Sequence, residues 1–154
     1  MSRARLETAA SLRERHRAAA RALIRTGVER NELIAFIDAQ CAELEGLARG
    51  LAILRELTAR TADFVVARGE RLSARLVAAA LAAAGQPTRY VDALEVVRTD
   101  GHFGNASPDL EATDKAMAKA FRPLIAKGSP PWCPASSAPL PMARWSPWGV
   151  GART

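Results

Sequence analysis

The chain has 154 residues, of which 49% are hydrophobic and 25% are charged, and its formal net charge is +6. This length suits one domain with a real core, and the composition is that of a soluble globular protein. Acidic and basic residues alternate along most of the chain, which is typical of solvated helix faces, so the positive charge alone does not predict nucleic-acid binding.

Several functional classes find no support in the sequence. It holds no nucleic-acid-binding motif and a single Tyr for base stacking, so we expect no nucleic-acid partner. No apolar run approaches the ~20 residues of a membrane span, and no leader opens the chain, so we expect no membrane association and a cytoplasmic location. Cys41 and Cys133 form neither a zinc pattern nor a disulfide framework. We therefore expect no metal site and a buried thiol at Cys41.

Two amphipathic helices are predicted in the first third of the chain. Apolar residues recur at helical spacing over 2–25, and Gly27 follows as a C-cap. Asn31 is a candidate N-cap for a second helix that ends near Leu47. The short link predicts that the two helices pack as an antiparallel pair.

A long helical segment follows over 52–85. Thr58 or Thr61 is a candidate N-cap, and Gly69 is expected to bend the segment into two helices. The stretch LVAAALAAA, residues 76–84, is apolar around most of its circumference, so it should be buried on several sides.

The next part of the chain mixes strand and turn signals. RYV (89–91) and EVVRT (95–99) have the β-branched and aromatic character of short strands, and turn formers dominate 100–108. Asp109 is expected to start an amphipathic helix that closes at Gly128. The pattern is α/β and helix-rich, with strands too few to cover the apolar helices, which indicates that part of a larger domain is missing.

Two segments are more specific than helix periodicity: ARGERLSARLVAAAL (67–81) and RTDGHFGNASPDLEATDKAMAKAFRPLIAKG (98–128). They resemble the aspartate kinases of the amino-acid kinase superfamily. There a Gly-Glu-x-x-Ser helix start precedes a Thr-Asp-x-x-Phe-Gly-x-Ala-x-Pro loop and a helix that ends in Pro-Leu-x-x-x-Gly. The resemblance implies that residues 1–128 are a partial catalytic domain, a fragment of the three-layer α/β/α amino-acid kinase fold.

The resemblance implies ATP-dependent phosphorylation of the side-chain carboxylate of L-aspartate, with Mg²⁺, as the first step of lysine, threonine and methionine biosynthesis. Glu70 matches the family's Glu in the aspartate site, where a carboxylate at a helix start receives the substrate ammonium. The alternative is that Glu70 only caps a bend after Gly69. The loop 100–109 has a similar pair of interpretations, as a wall of the substrate cleft or as a connector with Phe103 in the core. His102 is expected to be exposed and without a role.

The family's phosphate-binding segments, Lys-Phe-Gly-Gly and Gly-Arg-Gly-Gly-Ser-Asp, do not occur in this sequence. Phosphoryl transfer depends on positioning and on charge neutralisation around the γ-phosphate. We therefore assign no catalytic residue and expect the ATP and Mg²⁺ site to be largely missing, the chain alone to be inactive, and the family's regulatory dimerisation region to be absent. The competing interpretation is a small basic helical protein that binds an acidic partner or nucleic acid.

The tail, residues 129–154, differs from everything before it. It holds all three Trp and most of the nine Pro of the chain, and no acidic residue. We interpret it as irregular or disordered and as the product of a shifted reading frame. The alternative is a genuine Pro-rich ligand for an aromatic groove.

The shifted-frame hypothesis makes a prediction about the coding DNA. In the frame that starts at the last base of the Pro131 codon, Trp132 followed by Cys133 forces Val, and Trp148 followed by Gly149 forces Gly. Permitted codons elsewhere spell the missing Gly-Arg-Gly-Gly-Ser-Asp segment. We expect nucleotide sequencing to find that segment in the alternative frame, and a different peptide there would refute the hypothesis.

Overall fold

The structure is a computed structural model that describes residues 2–133, with side chains for residues 9–133. Most of the tail that the sequence predicts to be irregular, residues 134–154, lies outside the described residues. Over the described range the elements are α1 (Ser2–Leu23), α2 (Val28–Leu54), α3 (Ala59–Ala83), β1 (Arg89–Tyr90), α4 (Ala93–Val96), α5 (Leu110–Ala126) and β2 (Pro131–Trp132).

Helices α1 and α2 form the antiparallel pair that the sequence predicts. Arg13 of α1 binds Glu45 of α2 at 2.8 Å, and Arg17 lies 3.6 Å from Asp38. The residue numbers of the partners run in opposite directions, so the two helix axes do as well. These pairs lie along the edge of the helix interface, where they align helices that are held together mainly by apolar packing.

Helix α2 is longer than the sequence pattern predicts. The carbonyl of Gly27 already accepts a hydrogen bond from the amide of Asn31 at 3.2 Å, so Asn31 lies in the first turn and the predicted cap is wrong. The predicted end near Leu47 is also wrong, because the helix continues to Leu54 through good helix formers that tolerate Gly50.

Helix α3 runs without interruption, so the bend predicted at Gly69 is wrong. Thr58, one of the two candidate caps, begins the helix: its side chain accepts a hydrogen bond from the amide of Thr61 at 3.2 Å. A glycine inside a helix costs about 1 kcal/mol. Strong helix formers on both sides, Ala67 and Arg68 before and Glu70 after, outweigh this cost.

The first core lies where α1, α2 and α3 meet. Cys41 is fully buried there, as predicted, and burial raises the pKa of its thiol. In the stretch LVAAALAAA only Ala78 is buried, whereas Val77 is 38% exposed and residues 82–84 are exposed. The expected burial on several sides is therefore not met within the described residues. The buried members of this core are Ala20, Ile24, Leu33, Ile37, Cys41 and Leu72.

The second core lies under a two-stranded parallel sheet. Arg89 pairs with Pro131 and Tyr90 with Trp132, and α4 and α5 form the crossover that a parallel pair requires. The first strand confirms the prediction at 89–91, and the second puts a strand at the start of the segment predicted to be irregular. Val91, Val96 and Phe121 are buried beneath the sheet.

The second predicted strand, over 95–99, is wrong in most of its length. Residues 93–96 form α4 instead, because the Asp92 side chain caps that turn by accepting a hydrogen bond from the amide of Leu94 at 3.1 Å. Of the predicted strand only Thr99 makes an extended pairing, an antiparallel bridge to Pro108.

Helix α5 begins and ends as the sequence predicts. The Asp109 side chain caps it by accepting a hydrogen bond from the amide of Ala112 at 2.9 Å, and Gly128 follows its end with φ +67°. No helix in the described part of the chain is both long and apolar enough to cross a membrane.

One arginine of α3 joins the two cores. The Arg71 guanidinium forms an ion pair with Asp92 at 2.5 Å and donates a hydrogen bond to the Gln40 side chain of α2 at 3.2 Å. The Arg71 and Asp92 side chains are only 18% and 11% exposed. Although burial opposes it, the Asp92 charge holds the pKa of Arg71 above its ordinary value. Three elements that are distant in sequence therefore share one guanidinium.

We expect Arg71→Met to lower the free energy of unfolding by about 2–3 kcal/mol, because it leaves the Asp92 carboxylate largely buried and unpaired. The matched control is Lys115→Met, which breaks an exposed ion pair with Glu111 of similar length, 2.6 Å, and should cost under about 0.5 kcal/mol. Urea unfolding followed by circular dichroism measures both. Equal losses in the two variants would contradict this account of Arg71.

Candidate functional site

Glu70, the predicted substrate-binding residue, lies near the middle of α3 rather than at a helix start. The favourable dipole of a helix start fades within the first turn, so it gives no support here, and there is no bend for Glu70 to cap. The residue is half-buried and makes no hydrogen bond or ion pair with any other residue that the structure describes. A partly desolvated carboxylate in this state is available to a cationic ligand.

The loop 99–109 is organised around the carboxylate of Asp100. One oxygen accepts hydrogen bonds from the amides of His102 at 3.1 Å and Ser107 at 3.2 Å, and the other lies 3.0 Å from Nδ1 of His102. These contacts, led by the His102 amide, hold the pKa of Asp100 below its ordinary value of 3.8. The carboxylate therefore stabilises the loop fully at neutral pH and loses this effect as the pH falls through the lowered pKa.

The loop docks on the N-terminal end of α3. The amide of Gly104 donates a hydrogen bond to the Asp63 carboxylate at 2.6 Å, and the Arg60 guanidinium lies 5.2 Å from the centre of the Phe103 ring. Gly104 has φ +82°, and a Cβ atom built on it would lie 3.1 Å from the Cβ of Ala59. Both the backbone and the close approach therefore require glycine here.

The degree of exposure of two loop side chains, Phe103 and His102, is predicted from the sequence and can be compared with the structure. Phe103 is 54% exposed, so the alternative that it lies in the core is wrong. His102 is exposed, as predicted. The loop thus presents its aromatic ring at the surface, next to Arg60 of α3.

The docked loop and Glu70 share one face of α3. Asp63 and Glu70 are two helical turns apart, which places them on nearly the same side at about 10.5 Å along the axis. The loop therefore borders the helix face on which Glu70 lies. Sequence reasoning missed Asp63 because an acidic residue near a helix start carries no signal of a contact with a glycine 41 residues away.

The loop does not fit a phosphate-binding role. A phosphate cradle needs free amide groups near a helix start. Here the amides of His102 and Ser107 donate to Asp100, and the amide of Gly104 donates to Asp63. Two carboxylates at these amides would repel a phosphate. The described residues also hold no cluster of three potential metal ligands from His, Cys, Asp and Glu. The loop amides are therefore not free to bind the phosphates of ATP.

Comparison with known proteins identifies relatives for part of the chain. It is 47% identical over 79 residues to aspartokinase 1, chloroplastic, of Arabidopsis thaliana, a match that covers 50% of this chain and 14% of the relative. The same plant's aspartokinase 3, chloroplastic, is 41% identical over 97 residues, or 62% of this chain and 17% of the relative. An aspartokinase of Schizosaccharomyces pombe is 37% identical over 90 residues, or 58% of this chain and 17% of the relative.

Over half or more of its length the chain is therefore similar to part of the aspartokinases. It spans less than a fifth of the length of these curated relatives. No protein-family model matches it. The relationship confirms the family resemblance drawn from the Gly-Glu and Thr-Asp motifs, and it does not favour the competing interpretation of a small basic interaction protein.

We expect Gly104→Ala to lower the free energy of unfolding by about 1 kcal/mol more than Gly101→Ala does. Both glycines have positive φ, +82° and +81°, so both substitutions strain the backbone, but a Cβ at Gly101 meets nothing within 4 Å. The difference between the two losses of unfolding free energy therefore reports on the close contact between the loop and α3. Urea unfolding gives the free energies, and amide hydrogen exchange at Ser107 shows whether the loop has loosened. Identical behaviour of the two variants would contradict the docking.

Proposed function

We propose that this chain is part of an aspartokinase catalytic domain and that Glu70 belongs to its L-aspartate site. The observation that carries the proposal is a half-buried carboxylate with no partner among the described residues, beside a docked loop, in a chain related to aspartokinases. Glu70 binds the α-ammonium group of L-aspartate, and the loop 99–109 borders the substrate.

The reaction of the parent domain is transfer of the γ-phosphate of ATP to the side-chain carboxylate of L-aspartate, with Mg²⁺ bound to the nucleotide. This chain contributes to substrate binding only. The ATP and Mg²⁺ site depends on segments that the sequence lacks, and the amides of the glycine-containing loop already donate to Asp100 and Asp63. The chain alone is inactive in this proposal. The cytoplasmic location predicted from its sequence remains part of the proposal.

The shifted-frame tail is also part of the proposal. The family continues after the helix that ends at Gly128 with a strand of the type Val-Val-Pro-Gly. Here β2, at Pro131–Trp132, lies at that place in the order of elements and pairs with β1. A two-residue strand needs backbone groups more than specific side chains, so it forms with either reading of the codons.

We expect L-aspartate to bind the purified chain weakly and succinate, which lacks the ammonium group, to bind more weakly still. Glu70→Gln should reduce the affinity for L-aspartate by about threefold to fivefold, because it removes one partly desolvated charge pair. The control Glu14→Gln changes an exposed glutamate of α1 that pairs with Arg21, and it should leave the affinity unchanged. Isothermal titration calorimetry measures all four cases.

Equal binding of succinate and L-aspartate, or an unchanged affinity in Glu70→Gln, would overturn the role of Glu70. A separate coupled assay tests the second half of the proposal. It should find no ADP formation that depends on L-aspartate, and its detection would show that the chain carries a complete active site.

A further inference from the structure

A cleft lies between the start of α2, the C-terminal half of α3 and β1. Its volume is about 300 Å³, and its apolar floor comes mainly from Leu33 and Ala78. Its charged lining consists of two carboxylates from α2, Glu29 and Glu32, and one guanidinium from α3, Arg75. Arg89 of β1 supplies a second guanidinium. The cleft therefore holds two groups of each sign above an apolar surface.

Arg75 is held in position by aromatic rings. Its guanidinium carbon lies 4.5 Å from the centre of the Phe36 ring and 5.6 Å from the centre of the Tyr90 ring. Such contacts use the face of the guanidinium and leave its N–H groups at the edge available to an acceptor. Arg75 makes no hydrogen bond or ion pair with another described residue. It is a pre-positioned donor for a carboxylate.

The charges of the cleft do not neutralise one another. Within the described side chains, none of the four forms an ion pair within 4.0 Å. Glu29 and Glu32 are three residues apart on one helix, where like charges repel. A pure anion is opposed by the carboxylates, and a pure cation by the guanidinium groups. A dipolar ligand satisfies both sets at once, because it presents a carboxylate to Arg75 and an ammonium to the glutamates.

We propose that this cleft binds a small zwitterion, namely an α-amino acid with a short aliphatic side chain. The apolar floor accommodates the side chain, and a free carboxylate on the side chain is disfavoured by Glu29 and Glu32. The cleft is separate from the proposed aspartate site. Glu70 and Arg75 are five residues apart on α3, which turns them by about 140° to different sides of the helix.

The experiment uses the full chain, L-leucine as the probe and two analogues that each lack one charge. They are 4-methylpentanoate, without the ammonium, and 3-methylbutylamine, without the carboxylate. We expect L-leucine to cause saturable shifts of the Thr88, Arg89 and Tyr90 amide signals in ¹H–¹⁵N spectra. Each analogue should bind at least about threefold more weakly, because it loses one set of charge contacts.

Substitutions of cleft residues test whether L-leucine binds in the cleft. Arg75→Gln and Glu32→Gln should each weaken L-leucine binding by about threefold to fivefold. Their controls, Arg25→Gln and Glu56→Gln, change exposed residues that do not line the cleft and should have no effect. Glu32 is exposed on α2, so its isosteric variant tests binding without disturbing a core.

Three results would overturn the proposal: no saturable shifts with L-leucine, equal binding of either analogue, or tighter binding of inorganic phosphate or Mg²⁺. The test is independent of the proposed function, because it needs no kinase activity. Glu70→Gln should leave L-leucine binding unchanged, and Glu32→Gln should leave L-aspartate binding unchanged, so either proposal can fail without the other.

Discussion

The ion pair between Arg71 and Asp92 is the contact on which the arrangement of the molecule depends. One carboxylate caps α4 and binds the guanidinium, and that guanidinium also reaches Gln40 of α2. The two cores are separate apolar clusters, and this largely buried polar group joins the helical core to the segment between β1 and α4. Buried ion pairs contribute specificity of arrangement more reliably than net stability.

The sheet is small compared with the helices, which explains why apolar residues of the helices remain exposed. Two strands of two residues bury little apolar area, and a sheet of this size is not stable without helices packed on it. Val77 near the C-terminal end of α3 and the residues Ile53 and Leu54 at the end of α2 remain exposed. Such surfaces favour contacts with further protein segments, and they are consistent with a chain that covers less than a fifth of its aspartokinase relatives.

The sequence predicted those features of the fold that depend on residues close together in the chain. The caps Thr58 and Asp109, the buried Cys41 and the first strand follow from hydrogen-bonding side chains and apolar patterning. The bend at Gly69 failed because a single glycine costs less than its neighbours contribute to the helix. The second strand failed because the capping carboxylate of Asp92 outweighed the β propensity of the residues after it.

The candidate site was predictable only in part. The motif predicts a substrate site at Glu70, but the contact of Asp63 with Gly104 and the ring contacts of Arg75 join residues distant in sequence. Their individual types give no hint of a partner. Nothing in composition or spacing distinguishes Arg75 from the many exposed arginines of the chain. Only the packing of α2 and β1 against α3 distinguishes it.

The unbroken course of α3 has a mechanical consequence. With 25 residues the helix is about 37 Å long, and it carries the docked loop at its start, Glu70 at its middle and the mixed-charge cleft beyond. A helix with a bend at Gly69 could change the angle between these parts. An unbroken helix fixes the spacing of the loop, Glu70 and the cleft, so any shift of α3 along its axis moves all three together. The helix therefore keeps the two proposed ligand sites at a constant distance from each other.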